Sequence, residues 1–272
     1  MTDFARWSDR DAAAWIAVPG VDDDKYSRGV LGVVTGSTRY PGAAVLSVEA
    51  ALHTGVGMLR YLGPDRPTDL VLARRPEAVT ADGRVQAWLL GSGIDADDTD
   101  AMIVERMDAA VTSGAPCVLD AGALHLHARS TGPVVLTPHA GELARLLGVD
   151  RAAVADDPPG FAVRAAAELD ATVLLKGHRT HVAGPGITLS TQSAPAWLAT
   201  AGAGDALAGM LGALVATHSE EIAADPTALA RLAATAALVH GLAAEHASAG
   251  GPFTVLDLCA AIPGVIARLV QP

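Results

Sequence analysis

Gly202, Ala203, Gly204 and Asp205 stand in the run Ala199–Met210, where small residues lead into a strongly apolar segment. Asp205 is the only charged side chain between Arg179 and Glu220. Backbone with little side chain on it can approach a ligand closely. A helix that starts here turns its free N–H groups and the positive end of its dipole on an anion. The spacing therefore predicts an anion cradle with a carboxylate beside it. That arrangement suits phosphoryl transfer, in which positioning and charge stabilisation dominate and Asp205 would deprotonate an attacking hydroxyl. Gly, Ala and Asp also begin helices for capping alone. The run is not a Walker loop, because no Gly-Lys-Ser/Thr follows, and it lacks the Gly-x-Gly-x-x-Gly spacing of a dinucleotide fingerprint.

Further candidates fall at the ends of short apolar runs. Cys117–Asp120 and Val134–Thr137 read as buried strands with polar C-terminal ends, which places Asp120, Thr137 and His139 beside one cleft in a parallel sheet. His139 occupies a tight strand-to-helix turn, Pro138-His139-Ala140-Gly141-Glu142, where a functional role outweighs a packing one. Glu142 belongs to the first turn of the next helix, where its charge is favourable. Lys176-Gly177 closes the strand Thr172–Leu175 and can reach a phosphate, although a lysine at such a place is usually a solvated charge. Asp95, Asp97, Asp98 and Asp100 precede a helix running to about Thr112 and read as its dipole complement, not as a metal site. Cys117 and Cys259 have no metal spacing and read as buried, reduced thiols.

The elements that would carry these residues alternate. Ser8–Asp11 resembles a capping box before a short helix over Ala12–Ala17. The strands Val30–Thr35, Met58–Leu62 and Val85–Leu90 are apolar runs, and Pro41-Gly42 opens a helix over Ala43–His53. Another helix is expected over Phe161–Leu169. His181–Ala183 and Ile187–Ser190 flank Gly184-Pro185-Gly186 as a hairpin, an antiparallel edge to a mostly parallel sheet. After the glycine stretch, Leu207, Leu211, Leu214 and Val215 mark one face of a helix in which Gly209 and Gly212 permit close packing. Thr227–His246 and Val255–Leu269 read as long Ala/Leu-rich helices, with His240 in the core.

The chain has 272 residues and a formal charge of −11, with 50% hydrophobic and 4% aromatic residues. This length suits a single α/β domain over 1–272. The charge argues against a nucleic-acid partner, yet a few aligned amides and one lysine can still bind a nucleotide. No apolar run approaches the roughly 18 residues of a membrane span, and the N-terminal residues do not resemble a secretory signal, so a cytoplasmic protein is expected.

Four matches resemble the ribokinase-like superfamily and, within it, the NAD(P)H-hydrate dehydratases. They are Gly36-Ser37-x-x-x-Pro41-Gly42-Ala43-Ala44, Leu136-Thr137-Pro138-His139-x-Gly141-Glu142, Leu174-Leu175-Lys176-Gly177, and Leu198-Ala199-Thr200-x-Gly202-x-Gly204-Asp205-x-Leu207-Ala208-Gly209. Pro76-Glu77 resembles a further element of that branch. The likeness runs from Lys25 onward, and it implies a three-layer α/β/α fold with a mostly parallel central sheet and an antiparallel edge hairpin. It also implies repair of hydrated NADH and NADPH with ADP as co-substrate, ATP being the other candidate donor, and with magnesium of unassigned ligands. Carried over by position, Asp205 is the base on the ring hydroxyl and touches the substrate together with Ala43, Gly93 and His139. Lys176, Gly177, His178, Arg179, Thr180 and Gly204 fall on the nucleotide, and the amides of Gly202, Ala203 and Gly204 form the anion hole.

The resemblance further implies a homotetramer and a separate epimerase, since little chain precedes the first strand. Where the family has Thr-Gly-Gly-Thr/Ser-Gly-Asp, this chain has Ala201 and Ala203. A positive φ at Ala201 would be strained, and Ala203 lacks a hydroxyl that could bind phosphate. Ser190–Pro195 replaces an Asn/Gly-rich segment, Asp120-Ala121-Gly122 replaces Asp-Ala-Asp, and Gly91-Ser92-Gly93 replaces Gly-Pro-Gly. Two other readings stay open: a small-molecule kinase of the same superfamily, and a nucleotide-binding protein with weakened catalysis.

Overall fold

A computed structural model describes residues 3–97, 100–191 and 194–271. Asp98, Gln192 and Ser193, named above in two segments, lie outside the described residues. In chain order the strands are β1 (Ala5–Arg6), β2 (Val30–Val34), β3 (Met58–Tyr61), β4 (Ala87–Leu90), β5 (Cys117–Leu119), β6 (Val134–Leu136), β7 (Thr172–Leu175), β8 (Thr180–Gly184) and β9 (Ile187–Thr191). The helices are α1 (Asp9–Ala13), α2 (Pro41–Thr54), α3 (Asp65–Arg74), α4 (Ala101–Val111), α5 (Ala140–Leu147), α6 (Arg151–Asp156), α7 (Pro158–Glu168), α8 (Ala203–Thr217), α9 (Ser219–Ala224), α10 (Ala228–Ser248) and α11 (Val255–Val270).

The strands form one sheet in the order β1-β9-β8-β7-β6-β5-β4-β2-β3. Pairing is parallel except for β7 with β8 and β8 with β9. The expected hairpin is present, and β1 extends the sheet by one more strand, parallel to β9.

Successive strand residues face opposite sides, as the pleat requires. Leu31, Leu89, Val118, Val135 and Leu174 join the core beneath α2, α8 and α10. Val34, Leu90, Leu119, Leu136 and Leu175 join a second core beneath α4, α5 and α7. Both faces are covered, which is why the central strands read as unbroken apolar runs instead of alternating ones.

Helix α2 packs closely on α8. A Cβ on Gly209 would strike the backbone oxygen of Ser47, so glycine sets this approach. Both helices follow strands of the parallel sheet and therefore begin at its carboxyl edge, where the polar strand ends gather.

The expected helix Ala12–Ala17 stops at Ala13; its capping box forms as read, Asp11 N bonding to Ser8 Oγ at 3.2 Å. Asp100 caps α4, accepting from the amides of Met102 and Ile103. Asp95 is paired with Arg39 at 3.2 Å. Cys117 and Cys259 are buried free thiols, and burial pushes both up to about 12. Among the described residues no helix is long and apolar enough to cross a membrane.

Candidate active site

The turn before α8 places its left-handed residue at Gly202, with φ 91°. Ala201 is not among the positive-φ residues, so the strain considered for it does not arise. No side chain caps α8; the Ala203 amide bonds back to the Thr200 carbonyl at 3.4 Å, and the amides of Gly204 and Asp205 are the ones the first turn offers to a ligand. Asp205 sits in this first turn, half-buried. Burial pushes its carboxyl up to about 7, the charge of Asp120 adds to the rise, and Lys176 opposes it. A carboxylate that exchanges its proton near neutrality is suited to general-base work.

Beside it lies a buried polar cluster drawn from several strand ends. Asp120, 3% exposed, follows β5. It accepts hydrogen bonds from Ser92 Oγ at 2.8 Å and Thr137 Oγ1 at 2.7 Å. Lys176 Nζ pairs with its Oδ1 at 2.9 Å and lies 3.8 Å from Glu142 Oε2. Burial alone would raise Asp120, but the Lys176 ammonium and the three hydrogen bonds hold it below the usual carboxylate range. Burial would likewise neutralise Lys176, and the charges of Asp120 and Glu142 keep it cationic.

His139 explains the Thr-Pro-His-x-Gly-Glu motif. Its Nδ1 accepts from the amides of Gly141 (3.0 Å) and Glu142 (3.2 Å), while Glu142 Oε2 accepts from the His139 amide at 2.7 Å. The pair forms a reciprocal cap on α5. With Nδ1 acting as acceptor, the imidazole in its neutral form carries its proton on Nε2, so the exposed edge of the ring is a donor. The Lys176 amide bonds to the Pro138 carbonyl at 2.8 Å, which ties the two loops together.

A cavity of about 700 Å³ opens on this edge, and His139, Lys176, Gly177, His178, Thr180, Ala203 and Gly204 all line it. Its lining also includes the apolar Pro195, Leu198, Leu207 and Ala237. The polar lining residues suit phosphate and the apolar ones a base. Arg179, Gly202 and Asp205 are not part of that lining, and Ala43 and Gly93 lie apart from it. The last two meet each other at the start of α2, where a Cβ on Gly93 would strike the Ala43 Cβ.

Sequence reasoning placed His240 in the core, and it is indeed buried. It nevertheless lines the same cavity and bonds to the Ala203 backbone, while its Nε2 has no partner. Burial lowers it to about 4, which keeps the ring neutral. A lone imidazole within the Ala/Leu-rich α10 is the signal that could have found it. Among the described residues no group of three or more His, Cys, Asp or Glu side chains could hold a metal.

Layered in this way, the chain has the ribokinase-like α/β fold, shared with a ribokinase-like superfamily protein from Enterococcus faecalis (TM-score 0.84, 22% identity, 99% of this chain and 97% of that one). Within that class the chain belongs to the NAD(P)H-hydrate dehydratase family, whose model matches residues 31–262. It is 44% identical over 229 residues to the bifunctional NAD(P)H-hydrate repair enzyme Nnr of Mycobacterium tuberculosis, covering 79% of this chain and 47% of that protein. The chain thus spans about half the length of the bifunctional relatives it matches. It is also 33% identical to the ADP-dependent (S)-NAD(P)H-hydrate dehydratase of Xanthomonas campestris, over 93% of each chain. The structure of the Bacillus subtilis ADP/ATP-dependent NAD(P)H-hydrate dehydratase, co-crystallised with ATP and magnesium, superposes with a TM-score of 0.87 at 26% identity, covering 99% of this chain and 100% of that one.

Proposed function

We propose that this protein returns hydrated NADH and NADPH to their reduced forms, using ADP to phosphorylate the ring hydroxyl. The observation that carries the reading is Asp205 itself, a half-buried carboxylate raised to about 7 at the uncapped start of α8, on a helix whose Gly204 lines a cavity with Lys176. The ring hydroxyl gives its proton to Asp205 while its oxygen attacks the β-phosphorus, and the bond from that phosphorus to AMP breaks. The amides around Gly202–Gly204 and the Lys176 ammonium meet the charge that develops on the phosphoryl oxygens.

Hydroxide leaves a ring carbon poorly, whereas phosphate leaves readily. The ring-nitrogen lone pair expels phosphate, and loss of a proton from the adjacent carbon restores the double bond. The products are reduced dinucleotide, AMP and phosphate. Magnesium, carried in with the nucleotide, would neutralise phosphate charge. Support comes from the family match, the relatives' names and the chemistry of the cavity. Ala43, Gly93 and His139 are assigned to the hydrated dinucleotide, and Lys176–Thr180 with Gly204 to the nucleotide. A cytoplasmic homotetramer, acting alongside an epimerase that interconverts the two epimers of each hydrate, completes the reading.

The test is recovery of reduced-nicotinamide absorbance from chemically hydrated NADH with magnesium and ADP, ATP or no nucleotide. Recovery that needs a nucleotide supports the reading and names the donor. A phosphorylated product that accumulates without loss of phosphate would move the protein to the kinases. Stabilisation by ADP without any turnover would make it a binding protein.

A further inference from the structure

Asp120 is the most enclosed charge in the molecule's working edge, and each of its contacts is accounted for. Oδ2 is held by Ser92 after β4; Oδ1 is held by Thr137 after β6 and by Lys176 after β7. A Cβ built on Gly204 would lie 3.5 Å from Lys176 Nζ, so the ammonium stands directly under the anion-binding turn. A lysine side chain left to itself has many rotamers, and holding one of them costs entropy. Here two hydroxyls fix the carboxylate, and the carboxylate fixes the lysine.

We propose that Asp120 is a positioning residue: its buried carboxylate pins the Lys176 ammonium under the anion-binding turn that leads into Asp205. The role rests on the phosphoryl-transfer reading of the site. Its geometry has two consequences. The incoming phosphoryl group meets a cation already in place, so no reorganisation is needed during the reaction. Burial raises the proton affinity of Asp205 towards neutrality, and the Asp120 charge adds to that rise against the pull of Lys176. The groups that set this balance are Asp120 after β5, Lys176 after β7, Glu142 on α5, 3.8 Å from Lys176, and the neutral His240 on α10.

The test reads Asp205 directly, through carboxyl-carbon NMR titration of aspartate-labelled protein without substrates, with Asp205→Asn to assign the signal. Asp120→Asn keeps the shape and removes the charge. The Asp205 midpoint then falls by about one pH unit, because a like charge is lost and Lys176 turns towards it. Asp120→Glu restores the charge and returns the midpoint to near its parent value. In turnover, Asp120→Asn lowers kcat at least tenfold at saturating substrates and moves the acidic limb of the pH profile down by the same amount.

A merely structural aspartate would change the folded fraction and leave the Asp205 midpoint where it is; that result overturns the proposal. If Asp120→Asn does not fold, Lys176→Gln decides. The coupled Asp120–Asp205 pair must then release its protons at higher pH than in the parent, and unchanged release overturns the proposal. Absence of all turnover in the parent protein would instead count against the dehydratase reading, while the NMR titration still reports on Asp120.

Discussion

At the scale of single residues, Asp205 links activity to stability through one proton. Its folded-state value of about 7 stands above the 3.8 of an ordinary aspartate. The fold therefore favours the protonated form. The stabilisation this represents is complete below pH 3.8 and is lost as pH rises through about 7. Catalysis needs the other form, so kcat/KM should rise with pH about a midpoint near 7 and level off above it. Asp205→Asn is expected to lose at least a hundredfold in turnover while still binding ADP. It should also match the parent's melting temperature near pH 4 and exceed it at pH 8. The full value of such a shift is on the order of 4 kcal/mol, and solvent reaching the half-buried carboxyl brings it below that. Melting curves of both proteins from pH 4 to 9 check the sign. A variant that melts below the parent at pH 8 would contradict it.

At the scale of elements, helix starts do most of the work, and α5 shows how one residue serves two ends. His139 caps α5 through Nδ1, and its ring lines the cavity with Nε2 3.6 Å from Glu142 Oε1. Asparagine is an excellent cap without an imidazole edge, so His139→Asn should keep the parent's stability and raise the KM for hydrated NADH about tenfold or more. His139→Ala should raise KM similarly and also lose about 1 kcal/mol of stability. Equal KM values for His139→Asn and the parent would confine the histidine to capping. The contact between α2 and α8 gives a second expectation. Gly209→Ala pushes a methyl group into the Ser47 backbone. It should cost about 1–3 kcal/mol in denaturant unfolding and lower kcat, because Ala43 and Asp205 ride on the two helices being separated.

These elements were unequally legible. Strands β2, β5, β6 and β7 could be read because burial on both faces leaves continuous apolar runs. Helix α3 could not, since its sequence Asp-Arg-Pro-Thr-Asp-Leu-Val-Leu-Ala-Arg buries only Pro67 and Val71. Strand β1 is two exposed residues held by pairing alone. The cavity residues Lys176, Gly177, His178, Thr180 and Gly204 were legible as motifs. Asp120 and Thr137 were legible as neighbours beside one cleft, and they are bonded; the bonds of Asp120 to Ser92 and Lys176 were not legible, because these residues are far apart in sequence and meet only when four strands come into register.

At the scale of the whole molecule, charge sets a problem that the site solves locally. The chain carries a formal −11, and both proposed substrates are anions, so the far field repels what the cavity must collect. Attraction comes within a few ångströms, from the α8 amides and the Lys176 ammonium. Because the Debye length shrinks from about 30 Å at 0.01 M salt to about 8 Å at 0.15 M, salt screens the long-range repulsion more than these short contacts. The association rate of ADP should therefore rise a few-fold over that range, opposite to the usual behaviour of an electrostatically steered ligand.

Trp197 is a natural probe for this measurement. It is 53% exposed, on a turn whose neighbours Ala196 and Leu198 line the cavity. Stopped-flow fluorescence at constant free magnesium would follow it. A rate that falls steeply with salt would mean that the cationic groups near the mouth outweigh the net charge of the chain, and that the acidic surface is arranged away from the path of entry.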